Sequence, residues 1–148
     1  MIRNWDAHFM AKAQLNAAMS TCHARHVGAV AVIERRQLAD GFNGNLPGAT
    51  HCDEGGCERC KNRAFSHGED IMRCVCVHAE QNIVAWCARS RVCLEGATVY
   101  STTHPCADCL KLLLMSGVVA IVYRDSYAEG ERMAILLGAD DKLRRWTA

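Results

Sequence analysis

Regular patterning stops between Asn43 and Val77, and whatever holds that stretch together decides what the chain can fold into. The stretch carries five glycines, one proline and five of the chain's ten cysteines. A loop of this length is uncommon inside a compact domain unless it is functional or ordered by something besides secondary structure. Disulfides are one such device, but they belong to exported chains. The start, Met1-Ile2-Arg3-Asn4-Trp5-Asp6, has no basic segment followed by an apolar run. No apolar run is long enough to span a bilayer. The expectation is a soluble, cytoplasmic protein whose thiols ligate metal, do chemistry or fill the core as small hydrophobes. Cys87, in an apolar helical stretch, and Cys93 suit the last role. The remaining cysteines, with seven histidines, point to metal.

On either side of this stretch the patterning is clear. Asn4 can cap a helix from Trp5 to Thr21 with an apolar stripe through Phe9, Ala13 and Ala17. Gly28 to Ile33 reads as a buried strand, Glu34-Arg35-Arg36 as a turn, and Gln37 to Phe42 as the returning strand of a hairpin. After the loop come a helix (Ala79 to Arg89), a strand (Ala97 to Thr102), a helix from Cys106 to Met115 ended by Gly117, a strand (Val118 to Tyr123) and a helix from Glu131 to Leu137 ended by Gly138. This alternation predicts one α/β domain over residues 1–148, a layered sheet with helices on both faces. The net charge is +1 and the densest basic cluster is Lys142-Leu143-Arg144-Arg145. A polynucleotide binder would usually show a basic stripe, so the balance favours a small substrate.

Two short segments carry chemistry. His78 opens one helix, and Cys106 and Cys109 share a face of the first turn of another. One imidazole and two thiolates are three zinc ligands, which leaves a fourth position open, as a catalytic site requires. Helix N-termini favour thiolates, and Pro105 fits the first turn. Glu80, two residues past His78, can reach the open position without ligating and can move protons there. A lone Cys-x-x-Cys is often a structural knuckle or a redox pair, and a lone His-x-Glu means little. Together, in this order and with Pro before the first Cys, they match the signature of zinc deaminases acting on cytosine or adenine.

Around that core the chain resembles the deoxycytidylate (dCMP) deaminase family. The matching segments are Val27 to Val30, Gly41-Phe42-Asn43-Gly44, His78 to Asn82, Gly96 to Thr102, Pro105 to Cys109, Ser116-Gly117-Val118 and Val122-Tyr123. The resemblance implies a three-layer α/β/α cytidine deaminase-like fold on a mixed sheet of about five strands. It also implies hydrolysis of dCMP to dUMP and ammonia, supplying dUMP for thymidylate synthesis, with Glu80 passing protons to N3 and to the leaving amine. By the same resemblance the backbone at Ala79 frames the base, Asn43 contacts the sugar and Tyr127 contacts substrate. Arg25, His26 and Arg124 are all open as partners for the 5′-phosphate. Another cytosine nucleoside or nucleotide, such as a modified dCMP, dCTP or cytidine, is the alternative substrate. A non-enzymatic zinc module is the alternative class.

The resemblance further implies a second, structural zinc at Cys22, Cys52, His67 and Cys76. Cys57, Cys60 and Cys74 compete for places in that set. The family is often hexameric, activated by dCTP and inhibited by dTTP. The helix after Glu80, with Arg89, is a candidate packing surface, and a bacterial or phage-infected cytosol a natural setting.

Overall fold

The computed structural model describes residues 3–62 and 73–148. Its five-stranded sheet runs in the order β2-β1-β3-β4-β5. The strands are β1 (Gly28–Ile33), β2 (Arg36–Phe42), β3 (Thr98–Thr103), β4 (Ala120–Asp125) and β5 (Leu143–Arg145). β1 pairs antiparallel with β2 and β3, whereas β3–β4 and β4–β5 are parallel. The sheet is therefore mixed, as expected, because a hairpin opens it and helical crossovers extend it. The hairpin turns at Glu34 and Arg35, both at positive φ (48° and 64°), the hand that matches strand twist.

Helix α1 (Trp5–Ala17) covers one face, packing Phe9, Met10 and Ala13 on Val30, Val32, Tyr100 and Val122. Helices α3 (Ala79–Ser90) and α4 (Ala107–Met115) cover the other, where Ile83, Leu110 and Leu113 meet Ala29, Ala31, Val99 and Ile121. Helix α5 (Ala128–Leu136) adds Ala134 to this second core. Period-two alternation along β3 decides what faces what: Tyr100 points to the α1 side, and Val99 and Ser101 to the α3 side. No helix among the described residues is long and apolar enough to cross a membrane.

Most elements differ by a residue or so from their expected bounds, and β4 runs two residues later (Ala120–Asp125) than Val118 to Tyr123. α1 stops at Ala17 rather than Thr21 because the next residues build the loop: the Ser20 hydroxyl donates to Asn43 O at 2.8 Å and Cys22 N–H donates back to Ser20 Oγ at 3.2 Å. α5 starts three residues before Glu131, at Ala128. The basic cluster around Leu143 is a short edge strand whose Arg144 pairs with Asp6 of α1 at 2.8 Å. The irregular stretch is closed at both ends, where Gly44 and Val77 exchange backbone hydrogen bonds of 3.1 and 2.8 Å. Within it lie a 3-10 turn (Cys52–Glu54) and the short helix α2 (Glu58–Asn62).

Candidate functional site

His78 and Cys106 hold equivalent places in the fold. Each is the extended residue preceding a helix, with φ/ψ of −72°/157° and −67°/166°. β3 leads into the second and the Gly44–Val77 bridge into the first, so the starts of α3 and α4 meet at one end of the sheet. His78 Nδ1 lies 3.5 Å from Cys106 Sγ and 3.4 Å from Cys109 Sγ. Tetrahedral zinc with nitrogen at ~2.05 Å and sulfur at ~2.3 Å sets N···S at about 3.6 Å. Both N···S distances suit the ion as they stand, and all three ligand atoms lie within 4.8 Å of one another.

The electrostatics agree. The Cys109 thiol hydrogen-bonds to Cys106 and, against the cost of burial, holds its pKa down to about 4. The same interaction raises Cys109. His78 rises to about 8, chiefly through its hydrogen bond to Cys106. A dication at this point would release the shared protons.

Glu80 is 3% exposed, and burial raises its pKa. Ser101 Oγ, buried on β3, donates to Glu80 Oε1 at 3.0 Å. A carboxyl kept partly out of water beside a metal-ligand trio can hold a proton near neutral pH and return it.

The trio opens onto a pocket of about 120 Å³ also lined by Glu80, Ala79, Asn43, Arg25, His104 and Tyr127. Arg25 Nη1 reaches it buried and without a hydrogen-bond partner. A buried guanidinium N–H lacking an acceptor is costly, and an anion in the pocket would relieve that. The other two cations considered for this role sit differently. Arg124 is spent on Asp125 through bonds of 3.0 and 2.8 Å, and His26 is exposed outside the pocket lining.

Asn43 is buried in the wall, with Oδ1 accepting from Val27 N–H and Nδ2 donating to Arg25 O, both at 2.8 Å. Its amide thus also shapes the segment that presents Arg25. Gly41, two residues earlier, lies so close to the Ala79 carbonyl that no side chain fits between β2 and α3. Tyr127 forms another wall and stands edge-on to buried His104, with ring centroids 5.9 Å apart. His104 donates from Nδ1 to Pro105 O at 2.8 Å and packs on Tyr123, and burial keeps its pKa low.

A second sulfur-rich region adjoins the pocket. Cys22, Cys52, Cys57, Cys60 and Cys76 form one buried cluster with Cys74 against it, and all are free thiols. Cys22, Cys52 and Cys76, three of the four expected structural ligands, lie with their sulfurs within 4.8 Å of one another. The fourth, His67, lies outside the described residues. Cys87 is a buried core residue and Cys93 is exposed.

Comparison with known proteins agrees with this geometry. Residues 3–125 match the family described as "Cytidine and deoxycytidylate deaminase zinc-binding region". The chain belongs to this family. It is 42% identical over 136 residues to the deoxycytidylate deaminase of Schizosaccharomyces pombe, covering 92% of this chain but 42% of that protein. It is 37% identical over 127 residues to the deoxycytidylate deaminase of Mycobacterium phage D29, covering 81% of this chain and 94% of the phage protein. Among solved structures, the dCMP deaminase of cyanophage S-TIM5 in complex with dCMP and dUMP superposes with a TM-score of 0.78 at 27% identity, covering 99% of each chain. The chain thus spans less than half the length of its yeast relative and nearly all of the phage one.

Sequence reasoning missed Ser101 and His104 as parts of this family member's site. Strand alternation placed Ser101 on the α3 face, and that signal was available. His104, directly before the Pro-Cys pair, had no pattern to mark it.

Proposed function

We propose that this chain is a zinc-dependent hydrolase that converts dCMP to dUMP and ammonia. What carries the reading is the convergence of the His78–Cys106–Cys109 trio, buried Glu80 and the unpartnered Arg25 Nη1 on one pocket. When bound, zinc supplies Lewis acidity that brings the pKa of a coordinated water down toward about 7. Glu80 accepts the proton that water gives up as its oxygen adds to C4 of the ring. It gives that proton to N3, then takes the proton of the new C4 hydroxyl and passes it to the exocyclic nitrogen, so that the C4 carbonyl forms as the C4–N bond breaks and ammonia leaves. Ser101 orients the carboxylate through these transfers. Arg25 meets the 5′-phosphate by charge-assisted hydrogen bonds, Asn43 the sugar, Ala79 the edge of the base and Tyr127 its surroundings. The names of the phage and yeast relatives support the choice of dCMP.

A second, structural zinc on Cys22, Cys52 and Cys76 is part of the same reading. So are a single catalytic domain over residues 1–148, assembly into a hexamer, activation by dCTP and inhibition by dTTP. Trp86, 54% exposed on α3, supports the view of that helix as a packing surface. The test is ammonia release from dCMP, CMP, dCTP, cytidine and a cytosine oligonucleotide, each with and without dCTP and dTTP. Robust turnover of dCMP with weak turnover of cytidine is expected. Turnover of another compound without dCMP would overturn the substrate.

A further inference from the structure

The buried thiols beside the pocket are too many for one ion. Zinc in a structural site takes four ligands, yet Cys22, Cys52, Cys57, Cys60 and Cys76 are all at most 6% exposed and share one cluster. Their sulfurs fall within 4.8 Å of one another as two groups of three, Cys22–Cys52–Cys76 and Cys52–Cys57–Cys60. Cys52 belongs to both.

The second group has the local build of a metal knuckle. Cys57 directly precedes α2 and Cys60 lies in its first turn, with Lys61 N–H donating to Cys57 O at 2.9 Å. The same arrangement holds Cys106 and Cys109 at the start of α4, where Leu110 N–H donates to Cys106 O at 2.8 Å. Gly56 is packed so tightly on the Thr50 carbonyl that any side chain there would displace the loop that aims Cys57. The buried members of this cluster are cysteines alone, whereas the two cores that flank the sheet are built from aliphatic and aromatic side chains. Sulfur packing by itself gives this segment little to hold it.

We propose that the cluster is a binuclear zinc centre, one ion on Cys22, Cys52 and Cys76 and another on Cys52, Cys57 and Cys60, with the Cys52 thiolate shared between them. A thiolate has lone pairs enough to ligate two ions. Each ligating cysteine gives its proton to solvent as the metal enters. Five thiolates with two Zn²⁺ leave about one net negative charge, so the shared arrangement also removes most of the charge that five buried thiolates would carry. A fourth position at each ion is left for water or another donor. The proposal extends the structural zinc described above and adds a third ion to the chain.

Native mass spectrometry of the reconstituted full chain should count three zinc ions. Cys57→Ser/Cys60→Ser should hold two, and Cys106→Ser should also hold two, having lost the ion of the pocket. On the unaltered chain loaded with ¹¹³Cd, NMR should give three resonances, two of them coupled to each other through the shared sulfur. Two ions in the unaltered chain, unchanged in Cys57→Ser/Cys60→Ser, would retain the structural zinc and overturn the third. Three resonances with no mutual coupling would overturn the sharing of Cys52.

Discussion

Two Cys-x-x-Cys pairs in this chain open helices in the same way and meet opposite surroundings. Cys106 and Cys109 start α4 facing a pocket that also receives Glu80 and Arg25, and Cys106 stays partly exposed. Cys57 and Cys60 start α2 facing other cysteines, at 0% and 5% exposure. In both, the first cysteine directly precedes the helix and the second lies in its first turn. The difference lies in what stands across from the sulfurs. One site faces a histidine, a buried carboxyl and open volume, which leaves a coordination position free beside a proton carrier. Among the described residues the other faces further cysteines, a donor set that suits an ion with a structural role. Chemistry is thus added to the shared ligand geometry by its neighbours.

The largest effect should come from removing the proton carrier at the open site. Glu80→Gln should lower kcat by about 10²–10⁴-fold, the range a positioned acid–base group contributes. Zinc content and Tm should not fall, since Glu80 is no ligand. Steady-state ammonia release and metal analysis check both parts. If Glu80→Gln lost zinc, the carboxylate would belong to the coordination shell and the contrast between the two sites would collapse.

The mirror experiment is Cys52→Ser. An ion at a thousand times its Kd stabilises a fold by about 4 kcal/mol, which corresponds to a Tm shift of roughly 10 °C in a domain of this size. Cys52→Ser, which takes a ligand from both ions of the cluster, should lose at least that stability while folded molecules keep their kcat, because Cys52 does not line the pocket. Thermal unfolding followed with and without added zinc reads the effect. A collapse of kcat with an unchanged Tm would reverse the roles assigned to the two regions.

The open site was far more legible in the sequence than the closed one, for a physical reason. The candidate ligands of the open site sit at helix starts, with Glu80 two residues past His78, so His78, Glu80, Cys106 and Cys109 announce themselves by spacing. The layered sheet with helices on both faces followed from the alternation of strands and helices, whereas the strand order did not. Ligands of the closed cluster come from a stretch without period, and Cys22, Cys57 and Cys76 meet only in three dimensions. The resemblance alone put Cys22, Cys52 and Cys76 together, as the structure does; that Cys52 also lies against Cys57 and Cys60 had no sequence signal. β5 was hidden differently: three residues of Leu-Arg-Arg lack the alternating apolar run that marks a strand, and pairing to β4 alone makes them one. Arg25 looked no better than Arg124 as a phosphate partner until the Arg124–Asp125 pair was seen to occupy the latter.

Arg25 offers a smaller, selective perturbation of the open site. Hydrogen bonds to charged groups are worth about 1.5–3 kcal/mol, so Arg25→Gln should weaken kcat/KM for dCMP by roughly 10–150-fold. Deoxycytidine, which has no phosphate, should be turned over as before. An equal loss on both substrates would mean that Arg25 shapes the pocket wall and does not hold an anion.

Ser101→Ala is the gentlest change and the most diagnostic for how Glu80 is aimed. The hydroxyl donates to a carboxylate oxygen at 3.0 Å in a fully buried position. A single such bond contributes about 0.5–1.5 kcal/mol, which predicts a fall in kcat of roughly 2- to 13-fold. The sign of the pH effect follows from which form the bond favours. Donation to the ionised carboxylate lowers the Glu80 pKa, opposing the larger rise from burial. Its loss must raise that pKa further, so the acidic limb of kcat/KM, where Glu80 has to be ionised to accept a proton, should move to higher pH. A purely structural contribution of Ser101 would lower Tm or kcat and leave the limb where it was. An unmoved limb would therefore show that Glu80 is oriented by the start of α3 alone, and that the open site borrows less from the sheet beneath it than the Ser101–Glu80 bond implies.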